Sequence, residues 1–121
     1  MKLKAQVIID ADPASVWQIF NRSDVIARNV GTVTEARAPD LVMGLWDGEN
    51  GSAVVVNHFE TINERQTRWV AYWNFTLKGV RKLTAVFGAG RMERDLQDRM
   101  ERFKLRVETD LQQHSGSHDV T

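Results

Sequence analysis

Residues 67–79 place Trp69, Ala71, Trp73, Phe75 and Leu77 at every second position, the period of a strand that buries one face. A different period follows. Met92, Leu96, Met100, Phe103, Val107 and Leu111 are separated by four, four, three, four and four residues, one stripe of a helix with 3.6 residues per turn. The two apolar faces predict a long strand and a long C-terminal helix that close on each other, with space for a ligand between sheet and helix. Gly88-Ala89-Gly90 predicts a bend or break in that helix, leaving residues 80–87 as a separate turn or two. Its outer face carries opposite charges four apart, Arg91/Asp95, Asp95/Arg99, Asp98/Arg102 and Lys104/Glu108. At ~0.3 kcal/mol each, such pairs assist a solvated helix face rather than explain it.

The N-terminal part reads as strand, turn and two short helices. Leu3, Ala5, Val7 and Ile9 alternate through residues 2–10. Asp12 then suits an N-cap and Pro13 the first helical position, ahead of an apolar face of Val16, Trp17, Ile19 and Phe20. Ser23 is the expected cap of a second helix over Asp24 to Asn29. Strands follow at Gly31 to Ala38, Leu41 to Trp46 and Ser52 to Thr61, with a hairpin at Asp47-Gly48-Glu49-Asn50-Gly51 and a turn at residues 63–66. The polar residues 114–121 are expected to form a flexible tail after a single domain over 1–113. The fold class is α+β: a curved antiparallel sheet of about five strands, two short helices and one long C-terminal helix.

Composition narrows the function. The 121 residues balance 16 Lys and Arg against 16 Asp and Glu, so whole-chain charge gives no argument for nucleic acid or an anionic membrane. With no cysteine, disulfides, thiolate metal sites and a cysteine nucleophile are excluded. Residues 1–10 do not read as a signal peptide, and no run approaches the ~20 apolar residues of a membrane span. The expectation is a cytoplasmic protein without stable membrane insertion. His58 and Glu60 share a face expected to point outward, and Tyr72 is a proton donor only if the register slips by one. His114 and His118 flank Ser115-Gly116-Ser117, where no helix is expected, so no metal site is implied. No nucleophile elbow, phosphate loop, metalloprotease motif or dinucleotide fingerprint is present, and no cofactor is implied.

Val7-Ile8-Ile9-Asp10-Ala11-Asp12-Pro13-Ala14-Ser15-Val16-Trp17 resembles the opening of the polyketide cyclase/dehydrase and lipid-transport branch of the START-like superfamily, which includes the birch pollen allergen. Thr67-Arg68-Trp69, residues 74–79 and the helix from Arg91 to Val107 resemble that branch's last strand and grip helix. The resemblance implies a helix-grip fold. It also exposes a shortfall: members usually carry a further hairpin directly after the second helix. Without it, Gly31 to Ala38 becomes an exposed edge and the cavity has an open side. Exposed edges invite pairing with another chain, so a homodimer is expected.

Following the family's register, Trp69, Ala71, Trp73, Phe75 and Leu77 face the helix, together with Val55, Asn57 and Phe59 and with Val42, Gly44 and Trp46. Leu41, Met43, Leu45, Val54, Val56, Val70 and Tyr72 then form an apolar convex face, an expected interface. The cavity implied by the resemblance is lined by Trp17, Trp46, Phe59, Trp69, Trp73, Phe75, Met92, Leu96 and Met100, suited to a flat or lipid-like apolar molecule. Asn57 and Arg28 are the candidates to fix its polar end; the commoner roles are satisfaction of a neighbouring backbone group for Asn57 and a surface position for Arg28. The implied function is binding of a small hydrophobic ligand. The alternatives are a cyclase or aromatase-like enzyme, or a ligand-free dimeric interaction module.

Overall fold

The structure, a computed structural model, describes residues 2–48, 51–77 and 81–119, with side chains described over 2–48, 51–76 and 90–112. Its elements follow the sequence pattern: β1 (Lys2–Ile9), α1 (Pro13–Phe20), α2 (Ser23–Asn29), β2 (Thr32–Arg37), β3 (Leu41–Gly48), β4 (Gly51–Asn63), β5 (Gln66–Leu77) and α3 (Arg81–Asp119). All five strands form one antiparallel sheet in the order β1-β5-β4-β3-β2. The hairpin turn at Glu49-Asn50, the stretch 78–80 and the side chains of Leu77, His114 and His118 lie outside the described residues.

The register fixes the two faces. Leu3, Trp73, Val55 and Gly44 form one transverse row, and Ala5, Ala71, Asn57 and Val42 the next. Val7, Trp69 and Phe59 form a third. The members of these rows are all buried, Gly44 included. Along α3, Leu96, Met100, Phe103 and Val107 are buried against them, with Met92 and Leu111 half-buried at the two ends. The alternation in β5 and the helical stripe therefore meet as their periods require.

Three local expectations are corrected. Helical backbone runs through Gly88-Ala89-Gly90 without interruption and on to Asp119, past the polar stretch expected to end it. Two glycines cost helix propensity but do not remove a donor as proline does, so continued hydrogen bonding tolerates them. Ser23 is the first residue of α2 rather than its cap; Arg22 occupies the cap position and makes no side-chain capping bond. Of the four charge pairs expected along α3, only Lys104–Glu108 forms an ion pair. Other charges of this helix reach across to the domain instead. Arg106 pairs with Asp24 at 3.0 Å and Asp110 with Arg22 at 3.3 Å. Gln97 donates to the Gln6 carbonyl at 2.9 Å.

The chain passes from α2 into β2 with no intervening hairpin. Gly31, at φ +94°, makes the bend in a conformation few other residues adopt. Every residue of β2 is exposed, and the strand is one of the sheet's two edges, β1 being the other. The convex face is narrower than the alternation suggests. Leu45, Val54 and Tyr72 are exposed, Met43 and Val56 are half-buried, and Leu41 and Val70 are buried. Val70 stands between Gln6 and His58 in the register, whose longer side chains flank it.

Candidate functional site

The aromatic residues that the alternation places on one face divide into two groups. The inner group is centred on Phe20, whose ring lies 4.9 Å from Phe59, 5.4 Å from Trp69 and 5.7 Å from Phe103 in edge-to-face geometry. Trp17 approaches Phe59 at 6.3 Å. Phe20, Phe59, Trp69 and Phe103 are buried, so these four rings are closed core, with Trp17 half-buried at their edge. The outer group stands at the other end of the sheet. Trp73 and Phe75 stack at 5.6 Å with planes 21° apart, and Trp46 meets both edge-on at 6.0 and 6.1 Å. Trp46 and Phe75 are only half-buried.

A cleft of about 210 Å³ opens over the outer group, lined by Leu3, Trp46, Trp73, Phe75, Met92, Asp95, Leu96 and Arg99. Its floor comes from β5, β3 and β1, and its wall from successive turns of α3. Of the residues expected to bind a ligand, the cleft gathers Trp46, Trp73, Phe75, Met92 and Leu96. The others lie elsewhere. Trp17, Phe59 and Trp69 belong to the inner aromatic group, and Met100 is fully buried in the core. Arg28 is exposed at the end of α2, where its backbone carbonyl, rather than its guanidinium, serves the cleft by accepting from Arg99 Nη1 at 2.8 Å.

Asn57 is fully buried and satisfied from within. Its Oδ1 accepts from the Trp69 indole N–H at 2.9 Å, and its Nδ2 reaches the Val42 carbonyl at 3.5 Å. The amide is consumed by the core rather than presented to the cleft. His58 and Tyr72 are exposed on the convex face, ring to ring at 6.2 Å, and Glu60 pairs with Arg68 rather than with His58. The expected register thus holds at Tyr72. Among the described residues, no cluster of His, Cys, Asp or Glu has the arrangement of a metal site.

Sequence periodicity missed two polar members of the cleft, Asp95 and Arg99. Both were assigned to the solvated face of α3. Arg99 instead turns toward the sheet, with its guanidinium carbon 5.3 Å from the centre of the Trp73 ring. Burial pushes its pKa down and the neighbouring Arg102 charge adds to the effect, partly opposed by the Asp95 charge. The only sequence signal was position: Arg99 stands between Leu96 and Phe103, flanking the apolar stripe, where a long side chain can snorkel across apolar surface.

No protein-family model matches the chain, and no curated protein matches it. Solved structures do. BH1534 of Bacillus halodurans is similar over 88% of this chain and 96% of its own, with a TM-score of 0.69 at 20% identity. DynU16, a protein of the dynemicin biosynthetic locus, gives a TM-score of 0.70 at 12% identity over 90% of this chain and 48% of DynU16. TTHA0849 of Thermus thermophilus gives 0.62 at 16% identity, over 91% of this chain and 99% of that one. The fold is an α+β helix grip. At these identities the likeness speaks for the fold alone, and function has to be argued from the site. No helix among the described residues is long and apolar enough to cross a membrane.

Proposed function

We propose that this START-like domain binds a small apolar molecule with a flat body in the cleft between β5 and α3. The observation that carries this is the separation of the aromatic residues: Phe20, Trp69 and Phe103 fill the core, while half-buried Trp46 and Phe75, packed on the buried Trp73, form an aromatic wall along the cleft. Small-molecule sites are concave, mostly apolar and fixed by few polar groups, and the cleft combines six apolar residues with one carboxylate and one guanidinium. At about 210 Å³ it is smaller than most drug-sized sites. A fragment-sized ligand, or one that protrudes through the open side, fits it best. Binding is preferred to catalysis because Asp95 is exposed and an arginine does not give up its proton.

The test is titration with the neutral fluorophore N-phenyl-1-naphthylamine, alongside native mass spectrometry of the purified protein for co-purified molecules. Saturable, blue-shifted emission is expected, weakened about tenfold by Trp46→Ala as apolar contact is lost. No saturable binding by the folded protein would overturn the proposal.

A second reading concerns the open edge. β2 is exposed throughout, and its regular part lies beyond a bulge between Val33 and Glu35. Antiparallel pairing of two copies about Ala36 sets Glu35 of one against the partner's Arg37, in both directions. Charge complementarity together with unpaired backbone groups favours a homodimer through this strand.

A further inference from the structure

We infer that the cleft is built for an anion, an aromatic carboxylate or its chemical equivalent, whose charged group is held by Arg99 while its ring lies against Trp46, Trp73 and Phe75. This rests on the ligand-binding reading above and specifies the ligand's charge.

Among the described residues, Arg99 is the one arginine without an ion pair that is not exposed: Arg22, Arg37, Arg68 and Arg106 each pair with a carboxylate within 3.3 Å, and the other unpaired arginines are exposed. Arg99 makes no ion pair within 4.0 Å among the described residues, although Asp95 stands one helical turn away and was the expected partner. The guanidinium is instead held in place by two contacts that bring no anion to it, and the Asp95 charge acts on it only from beyond ion-pair distance. Nη1 donates to the Arg28 carbonyl at 2.8 Å, and the Trp73 ring lies 5.3 Å beneath the guanidinium carbon. One bond to a neutral carbonyl uses one of the five donors of a guanidinium. Its charge is partly withdrawn from water: the residue is half-buried, and burial holds its pKa below the usual arginine value.

A fixed, partly desolvated arginine on the wall of an apolar cleft is a site for an oxyanion. Charge-assisted, bidentate hydrogen bonds are strongest where water is displaced, and a guanidinium matches a planar carboxylate better than an ammonium does. The stacked pair Trp73–Phe75 with Trp46 edge-on offers the ligand body both a face and an edge. Asp95 supplies the opposing charge on the same lining. Its exposure keeps it solvated, so it weakens anion binding without abolishing it.

The experiment compares two probes of one shape. N-phenyl-1-naphthylamine is neutral; 8-anilinonaphthalene-1-sulfonate carries the same rings and one negative charge. The sulfonate is expected to bind about tenfold more tightly, the scale of a charge-assisted hydrogen bond. Arg99→Gln should collapse the ratio of the two affinities toward one. Asp95→Asn should raise that ratio about two- to threefold, as expected on removing a solvated like charge, and does not depend on Arg99→Gln folding. A ratio near one in the unsubstituted protein, or a ratio that ignores both substitutions, overturns the anion assignment while leaving an apolar cleft in place. Failure of both probes to bind overturns the cleft and the anion together.

Discussion

The indole N–H of Trp69 donates to Asn57 Oδ1 at 2.9 Å across neighbouring strands, and both side chains are buried, Asn57 completely. The bond ties β4 to β5 beneath the inner aromatic group, at the point where a polar amide would otherwise be stranded in apolar surroundings. Asn57→Ala leaves the indole donor unpaired and opens a small void. Loss of about 1–3 kcal/mol is expected, read as a Tm lowered by about 5–15 °C. Trp69→Phe orphans the amide from the other side. The double variant should be less damaging than the sum of the singles, with a coupling of about 1 kcal/mol by denaturant titration. Additive effects would show that the bond contributes nothing specific.

Gly44 sets how closely the start of β2 approaches the sheet. A Cβ there would collide with Val30 Cγ1 and lie 2.5 Å from the Thr32 carbonyl oxygen. Because one obstacle is backbone, the structure cannot yield by a rotamer change alone. Gly44→Ala is expected to destabilise by about 1–3 kcal/mol in urea unfolding. Gly90, which has nothing within 4 Å of such a Cβ, provides the contrast: Gly90→Ala should stabilise α3 by up to about 1 kcal/mol.

Asp12 caps α1, accepting from the Ser15 backbone at 3.1 Å and from Ser15 Oγ at 2.6 Å. The Ser15 side-chain bond is the main cause that holds its carboxyl below the usual value, partly opposed by burial. A carboxylate with a depressed folded-state pKa contributes its full stability above the unfolded value. That contribution is lost as pH falls through the lower folded value. Asp12→Ala should therefore cost about 1 kcal/mol at neutral pH, a deficit that narrows below about pH 4. Asp12→Asn, which keeps a cap but no charge, should recover most of the loss and flatten the acid dependence. A deficit unchanged from about pH 7 to about pH 3 would refute the assignment.

Pairing through β2 can be tested by exchanging its charges. Glu35 and Arg37 pair within one chain at 3.2 Å, and in an antiparallel dimer each would also face the partner's opposite charge. Light scattering should show a dimer that Glu35→Lys weakens, because two like-charged residues then face each other across the strands. Adding Arg37→Glu to that variant reverses every charge and should restore association. A monomer at all accessible concentrations would rule out the dimer.

The local signals in the chain proved reliable where geometry depends on neighbours in sequence. Alternation in residues 67–75 and the stripe from Met92 to Leu111 gave the faces of β5 and α3 correctly. The absent hairpin and the exposed edge at β2 followed from setting the order of elements beside the family that the sequence resembles. Where expectation failed, a distant residue decided the outcome. Asn57 was a candidate ligand contact until Trp69 supplied its partner. Trp17 and Trp46 looked equivalent until the sheet placed one over Phe59 and the other over Trp73.

Sequence alone determined the period of each element, the turn at Asp12-Pro13 and the side of the sheet on which each strand residue stands, because backbone dihedrals and side-chain alternation are local properties. Only the tertiary structure decided which aromatics are sealed and which line a cleft. It also decided that Arg99 lies over Trp73 rather than pairing with Asp95. Burial and charge pairing depend on what the other elements bring near, and an arginine side chain is long enough for either choice to be open until the sheet is in place.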